Sequence, residues 1–369
     1  MTLGVSIDRI MQAGIADGVF PGGVVLVRHR GDVVLHRAYG HAVLYADAHT
    51  RAADPIPTTL DTVYDLASLT KLFTATCVMT LVEAGLVRLD DPIAMHVPPF
   101  AANGKEEITV RHLLTHTAGL PYVRLWEVAA SSDERIAHAM AVTPEAPPGT
   151  IYTYHDTNFI VLGRLIEEIT HQHLDRALAE RVLAPLGLAH TCYCPPEETR
   201  QTVAATEDAA AVGRGMVRDE VHDENAWSLG GVAGHAGLFG SATDIGVFGQ
   251  VFLDVGLSSF VLSNAVGMLA AESVAEMTRD QIGALGNRGL GWQLDEPSHM
   301  GRLASPATFG HTGFTGTSLV IDPDRQIVMV LLTNRVHPTR TGPDVYAVRR
   351  AVADAIADSV DLDFEEKAC

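Results

Sequence analysis

The chain has 369 residues, of which 47% are hydrophobic and 19% are charged, and its formal net charge is −19. This length and apolar content predict a folded protein with a large core and exclude an intrinsically disordered chain. The acidic balance argues against nucleic acid and anionic membrane surfaces as partners.

The N-terminal stretch MTLGVSIDRIMQAGIADGVF predicts an amphipathic helix, because Ile7, Ile10, Met11 and Ile15 recur at helical spacing. It lacks the basic start and the long apolar run of a secretory signal. No apolar stretch approaches the roughly 20 residues that cross a bilayer. We therefore expect a cytoplasmic protein, unless a signal segment was removed.

Two β-rich runs flank Arg30-Gly31-Asp32 and predict a hairpin within residues 22–40. Residues 68–86 predict a helix, and apolar Val and Ile residues at helical spacing predict a last helix over 343–360. Further strands are expected near the C-terminus, within 289–294, 308–323 and 326–334.

The section between these two β-rich regions has helical patterns and loops, with little strand signal. We therefore predict an α+β fold in which residues 1–86 and 285–369 build one antiparallel sheet flanked by the first and last helices. Residues 87–284 are expected to form a mostly helical inserted subdomain. A cleft between two such units is a common place for a ligand site.

Lys71 is unusual, because the chain has only three lysines and this one lies in an otherwise apolar helix. Ser68 precedes it by three residues, which places both side chains on one helix face. Burial disfavours an ammonium, so Lys71 is expected to take the hydroxyl proton of Ser68, a role closed to arginine. The S-x-x-K spacing alone leaves open a capping serine and a lysine that reaches solvent.

Two other stretches supply the parts that a nucleophilic serine needs. Tyr154 and Asp156 stand just before a predicted helix, and a phenol serves as an acid or base when a cation is close. His311-Thr312-Gly313 lies on a predicted edge strand, where glycine lets a substrate approach the backbone. Taken singly, each stretch is better explained by an ordinary structural role, as a core tyrosine or a strand glycine.

Together and in this chain order, the three motifs resemble the serine β-lactamase and penicillin-binding-protein-like superfamily, in particular its class C-like branch. The likeness extends over nearly the whole chain. Its matching stretches include ITVRHLLTHTAGL (108–120), PPGTIYTYHDTNFIVLG (147–163), VHDENAWSLGGVAGHAGLFGSATDI (221–245) and GLGW (289–292). The resemblance implies a β-lactamase/transpeptidase-like fold and a serine hydrolase that cleaves a small-molecule or peptide amide or ester.

By the same resemblance, Ser68 is the nucleophile that becomes acylated, and Lys71 and Tyr154 share the proton transfers. The backbone N–H groups of Ser68 and Phe314 would form the oxyanion hole. Thr312 and Gly313 would belong to the substrate-binding strand. No metal ion or organic cofactor is implied.

The sequence departs from the β-lactamase pattern at two positions of the site. His311 replaces the lysine of K-T-G, and Asp156 replaces the asparagine of Y-x-N. A histidine is less surely cationic than a lysine at neutral pH, so its hold on a substrate carboxylate is weaker. Asp156 is a possible counterion for Lys71, which would oppose the effect of burial. Both replacements favour esters over the β-lactam nitrocefin as substrates.

Other classes of function have weaker support in the sequence. The 17 histidines include no H-E-x-x-H zinc motif, and His235 in a glycine-rich stretch is expected to be structural or to line the pocket. The four cysteines fit neither a disulfide framework nor a zinc site. No G-x-S-x-G elbow or phosphate-binding loop is present. The remaining alternative is an inactive binding or scaffold protein of the same fold.

Overall fold

A computed structural model describes residues 2–128, 130–257 and 268–368. Its ten strands are β1 Gly22–His29, β2 Asp32–Tyr45, β3 Arg51–Pro57, β4 Val63–Asp65, β5 Cys192–Tyr193, β6 Leu238–Ser241, β7 Gln293–Leu294, β8 Phe309–Thr312, β9 Ser318–Asp322 and β10 Ile327–Thr333.

The described residues form thirteen α-helices. They are α1 Leu3–Ala16, α2 Thr70–Glu83, α3 Ile93–His96, α4 Val110–Leu114, α5 Ser132–Met140, α6 Thr157–Thr170, α7 Leu174–Leu178, α8 Ala184–Leu186, α9 Glu224–Ser228, α10 Ala242–Leu257, α11 Ala271–Thr278, α12 Pro297–Met300 and α13 Tyr346–Ala368. A π-helical turn, Ala179–Leu183, joins α7 to α8. Within this part of the chain, no helix is both long enough and apolar enough to cross a membrane.

Seven strands form an antiparallel sheet in the order β3-β2-β1-β10-β9-β8-β7. The predicted hairpin is present, and Arg30 and Gly31 form its turn with φ values of 55° and 87°. The N-terminal strands pair with the C-terminal ones through β1 and β10, where Leu26 lies opposite Val330. This pairing joins the two ends of the chain in one sheet, as the sequence predicted.

Both faces of the sheet are covered at its centre, which explains why the buried strands β1, β9 and β10 are mostly apolar, whereas β2 and β3 are largely half-buried or exposed. Along β10, Ile327, Met329 and Leu331 pack on the side of α1 and α13. Val328 and Val330 point to the opposite side, where the larger core contains residues of α2 and α10. Successive side chains of β10 therefore point alternately into two apolar cores, one on each face of the sheet, and neither set faces solvent. The predicted α+β architecture with flanking terminal helices is confirmed.

The details differ from the predictions in several places. A second, three-stranded sheet has the order β4-β6-β5, and two of its strands lie in the middle section that was expected to carry little strand. The edge strand β3 was not predicted, and in 289–294 only Gln293 and Leu294 are strand. The division into a sheet unit and an inserted helical subdomain stays a prediction.

Three of the four cysteines, Cys77, Cys192 and Cys194, are free thiols. Cys369 lies outside the described residues.

Candidate active site

Ser68 lies on a short 3₁₀ turn, Ala67–Leu69, directly before α2. The preceding residue, Ala67, has a positive φ of 48°, which an L-residue rarely adopts and which costs on the order of 1–3 kcal/mol. Asp65 holds this bend, because its carboxylate accepts the Ala67 N–H at 2.8 Å and the His222 N–H at 2.6 Å. The nucleophile candidate therefore stands on a strained turn that a buried carboxylate fixes.

Lys71 lies one turn along from Ser68 and is completely buried. Its Nζ has three acceptors: Ser68 Oγ at 2.9 Å, the Asp156 carboxylate at 2.8 Å and the His235 carbonyl oxygen at 3.1 Å. An ammonium has three N–H donors, so this environment satisfies all of them. Lys71 therefore donates to the Ser68 hydroxyl oxygen rather than accepting from it.

The charge state of Lys71 follows from two opposing effects. Burial lowers the pKa of Lys71, but the negative charge of Asp156, and then Tyr154, outweigh it and raise the pKa above its ordinary value. Burial alone therefore does not leave the amine uncharged, and the ammonium is the favoured form. The ion pair with Asp156, which the sequence analysis left open, is the interaction that favours the charged form of Lys71.

Tyr154 stands beside this ion pair, with its ring centroid 5.0 Å from Lys71 Nζ. Arg288 approaches the same ring, its guanidinium carbon lying 5.5 Å from the centroid. His116 packs on the ring at 4.4 Å and His311 lies 5.9 Å away. Two cations thus lie beside the phenol of the second motif.

The segment after β8 is fastened to the turn that carries Ser68. The Thr315 hydroxyl donates to the Asp65 carbonyl oxygen at 2.7 Å, and the Thr317 hydroxyl donates to the Leu66 carbonyl oxygen at 3.0 Å. A Cβ built at Gly313 would lie 2.0 Å from Thr317 Oγ1 and 2.6 Å from the Leu66 carbonyl oxygen. Glycine is needed here for packing between β8 and the turn, in addition to any approach of substrate.

Gly313→Ala is expected to lower both stability and activity, because the new methyl group forces β8 away from the turn. Overpacking of this kind costs roughly 1–3 kcal/mol. Thermal unfolding and ester hydrolysis measure the two effects. Gly256→Ala is the matched control, since among the described residues a Cβ there has one neighbour within 4 Å, Val274 at 3.9 Å. An unchanged melting temperature in Gly313→Ala would contradict this prediction, because it would show that β8 can move away from the turn without loss of stability.

His311 is 2% exposed, and its Nδ1 lies 2.8 Å from the Thr312 carbonyl oxygen. A carbonyl only accepts, so Nδ1 carries the hydrogen and Nε2 presents a lone pair. Burial first, and then the charges of Arg288 and Lys71, lower the pKa of His311 well below its ordinary value. His311 is therefore neutral and does not replace the cation of K-T-G.

Phe314 follows the third motif, and half of its surface is exposed. Its ring stacks on His222 at a centroid distance of 5.7 Å, and the guanidinium of Arg335 lies 5.1 Å from the ring. Among the described residues, the Phe314 N–H donates no backbone hydrogen bond. A free N–H at this position suits the predicted oxyanion hole with the N–H of Ser68.

Two cavities meet at Ser68, and Ser68, Tyr154 and Phe314 line both of them. We call the larger one, of about 400 Å³, the arginine cavity; its other lining residues include Arg288, His311, Arg335 and Arg349. We call the smaller one, of about 240 Å³, the acidic cavity; its lining residues include Tyr122, Asp156, Asp223, Glu224 and Arg340. The nucleophile candidate thus stands between cavities of different charge.

Asp156, Asp223 and His235 lie close enough to hold a cation, with one ligand atom from each within 4.8 Å of the others. Their ligand atoms already have protein partners, because Asp156 binds Lys71 and Asp223 accepts from His235 Nε2 at 2.7 Å. Burial opposes the ionisation of Asp223, but His235 and the Ala226 N–H lower its pKa below the ordinary value. His235 is thus both structural, through its carbonyl on Lys71, and adjacent to the acidic cavity.

The structure brings together all the site residues that the sequence singled out and adds three that it missed. Asp65 supports the bend before Ser68, Asp223 partners His235, and Arg288 lies against Tyr154. The sequence contains a weak signal for two of them. Asp223 belongs to the family-like stretch that begins VHDE (221–224), and Arg288 directly precedes GLGW (289–292).

Comparison with known proteins identifies the family of this chain. A family model described as "Beta-lactamase" matches residues 7–354, and the chain belongs to this family. A protein of Salmonella agona (strain SL483) described as "Putative D-alanyl-D-alanine carboxypeptidase" is 34% identical over 361 residues. That match covers 89% of this chain and 82% of the relative.

Two solved structures support the fold. An octameric penicillin-binding protein homologue from Pyrococcus abyssi has a TM-score of 0.76 and 23% identity, and the match covers 97% of this chain and 78% of that one. EstCE1, described as a hydrolase with promiscuous acyltransferase activity, has a TM-score of 0.75 and 23% identity, with coverage of 96% and 98%. The β-lactamase/transpeptidase-like fold is thereby confirmed, and the relatives are hydrolases.

Proposed function

We propose that this protein is a serine hydrolase that forms an acyl-enzyme on Ser68 and cleaves a small ester or amide. The observation that carries the proposal is the contact of Ser68 Oγ, at 2.9 Å, with the Nζ of a completely buried Lys71, which also pairs with Asp156. A lysine that served only as a surface charge would reach solvent instead. Here a permanent cation is held against a hydroxyl at the meeting point of two cavities.

In the acylation step, Ser68 Oγ forms a bond to the substrate carbonyl carbon. Tyr154, whose ring lies beside Lys71 and Arg288, acts as the general base and takes the hydroxyl proton. The N–H groups of Ser68 and Phe314 stabilise the oxyanion. When the bond to the leaving group breaks, Tyr154 returns the proton to the departing oxygen or nitrogen. Water then attacks the acyl-enzyme, and the same groups release the acid.

Lys71 acts in this scheme as a fixed charge rather than as the base. Its ammonium orients the Ser68 hydroxyl, because a donor on Oγ leaves the hydroxyl hydrogen free to point toward Tyr154. This assignment follows from the three acceptors around Nζ.

Ser68→Ala is expected to abolish hydrolysis of p-nitrophenyl butyrate, because it removes the oxygen that would accept the acyl group. The measurement is steady-state turnover, with mass spectrometry after fluorophosphonate treatment to locate the adduct. Wild type should gain one adduct on Ser68 and the variant none. Equal turnover by the variant, or none by wild type, would favour the alternative of a binding or scaffold protein.

A further inference from the structure

The Phe314 side chain stands where the two cavities of the candidate active site meet. It lines both of them, as do Ser68 and Tyr154, and half of its surface is exposed. The Arg335 guanidinium, which lines the arginine cavity, lies 5.1 Å from the Phe314 ring centroid. The Arg340 guanidinium, which lines the acidic cavity, lies 5.8 Å from the same centroid. Each cavity thus contributes an arginine to this ring, which places the ring at the boundary between them.

The protein holds the Phe314 ring in place although the ring is half exposed. His222 is 4% exposed and stacks on the ring, with an angle of 23° between the two ring planes. The two guanidiniums lie close enough to the ring for cation–π attraction. Arg335 also donates through Nε to the Phe314 carbonyl oxygen at 3.3 Å. Contacts with both the ring and the backbone of Phe314 therefore restrict its side chain.

An ion network supports the partners of this ring. Glu207 contacts His222 Nε2 at 2.9 Å, and Arg340 pairs with both Glu207 and Glu224. His222 and Arg340 are the two ring partners that line the acidic cavity. Carboxylates hold both of them, so they form a fixed support for the Phe314 ring.

The same support is joined to the turn that carries the nucleophile candidate. Asp65 accepts the His222 N–H at 2.6 Å and the Ala67 N–H at 2.8 Å. One buried carboxylate therefore fixes the residue that stacks on the ring and the residue that precedes Ser68. The fold thus sets the position of the ring relative to Ser68, and a ring fixed beside the attacked carbonyl acts on a substrate through its size.

We infer that the Phe314 side chain is a wall between two substrate subsites and limits the length of the acyl chain that Ser68 accepts. This inference rests on the proposed function, because it takes Ser68 as the acylated residue. The acyl group and the leaving group lie on opposite sides of the attacked carbonyl carbon, and the two cavities meet at Ser68. Each cavity therefore receives one part of the substrate. The ring ends the acyl subsite, whichever cavity the acyl group enters.

Two esters with one leaving group test this inference: p-nitrophenyl butyrate and p-nitrophenyl octanoate, each used below the concentration at which it aggregates. They release the same phenol and differ only in the length of the acyl chain. The readout is kcat/KM for the octanoate divided by kcat/KM for the butyrate, corrected for the ratio of their rates with hydroxide. Any effect of a substitution on the oxyanion hole is common to both esters and cancels in this ratio.

In wild type we expect the octanoate to be disfavoured at least about tenfold, because a single methylene group can change the selectivity of a pocket by about 10–200-fold. In Phe314→Ala the ratio should rise at least about tenfold, since removal of the ring joins the two cavities. Phe314→Leu keeps part of the apolar bulk and should give an intermediate ratio. This second variant also tests the inference if the alanine variant folds poorly.

Trp227→Ala is the matched control for removal of a partly exposed aromatic ring. Trp227 is 39% exposed and lies 4.8 Å from the Arg214 guanidinium carbon. It is not among the described residues that line either cavity. We therefore expect Trp227→Ala to keep the wild-type ratio of the two esters.

A wild-type ratio near one would overturn the inference, because no wall would then limit the acyl chain. A ratio that stays low in Phe314→Ala, or that rises equally in Trp227→Ala, would also overturn it. So would a ratio that rises in Tyr346→Ala but not in Phe314→Ala, since the Tyr346 ring of the arginine cavity would then be the limiting group. Failure of the proposed function looks different. In that case neither ester would be hydrolysed in a manner that depends on Ser68.

Discussion

Lys71→Arg is expected to lower kcat/KM for p-nitrophenyl butyrate by roughly 10²–10⁴-fold, almost as far as Lys71→Ala. The substitution keeps the positive charge but loses the geometry. Three ammonium hydrogens reach Ser68 Oγ, Asp156 and the His235 carbonyl, and the Lys71 side chain itself has no exposed surface. A planar guanidinium is larger and cannot place donors on all three at once.

Lys105→Arg is the control for the cost of enlarging a buried lysine. Lys105 is also fully buried, and its Nζ donates to the carbonyl oxygens of Ala102 and Val142, outside both cavities. We expect Lys105→Arg to lower the melting temperature while kcat/KM per folded molecule is retained. Near-normal activity in Lys71→Arg would mean that charge alone is needed at this position.

The predictable part of the fold is the part with long apolar segments. Strand β10 was recognisable because seven consecutive apolar or β-branched residues from Ile327 to Thr333 suit a strand covered on both sides. The two-residue strand β5 and the three-residue strand β4 carry no such signal. Their strand conformation comes from pairing with β6, which lies far along the chain, so tertiary contacts decide it.

The site was predictable to the extent that its motifs are local. Ser68 and Lys71 are one helical turn apart, so their contact follows from spacing alone. The supports come from distant segments, such as Thr315 on the Asp65 carbonyl and His235 on Lys71. No local sequence pattern predicts these contacts, because each joins segments more than 150 residues apart.

The charge of Lys71 shows a different limit of sequence reasoning. Burial and ion pairing shift its pKa in opposite directions, and a sequence gives the sign of each effect but not its size. In this protein the 2.8 Å contact with Asp156 favours the ammonium over the neutral amine. The pKa of His311 also depends on its surroundings. Burial, and then the positive charges of Arg288 and Lys71, lower this pKa and favour the neutral imidazole.

Asp156→Asn is expected to create a loss of activity on the alkaline side that wild type lacks. In wild type, Asp156 helps raise the pKa of Lys71 above its ordinary value of about 10.5, so the ammonium persists through the usual assay range. Asparagine removes this charge but keeps the shape, and burial then lowers the pKa. Since the ammonium exists only below that pKa, kcat/KM should decline as the pH rises through it.

The pH profile of kcat/KM separates the two roles that Lys71 could have. If the ammonium is the active form, the variant loses activity as the pH rises. If the neutral amine were the base, the variant would instead gain activity as the pH rises, and would exceed wild type at alkaline pH. Asp244→Asn is the control, because this buried carboxylate binds Thr191 and the His190 N–H, away from Lys71. The pH profile of kcat/KM for Asp244→Asn should keep the wild-type shape. A decline at alkaline pH that occurs in Asp156→Asn and not in this control would then report the charge of Lys71, which contacts Ser68.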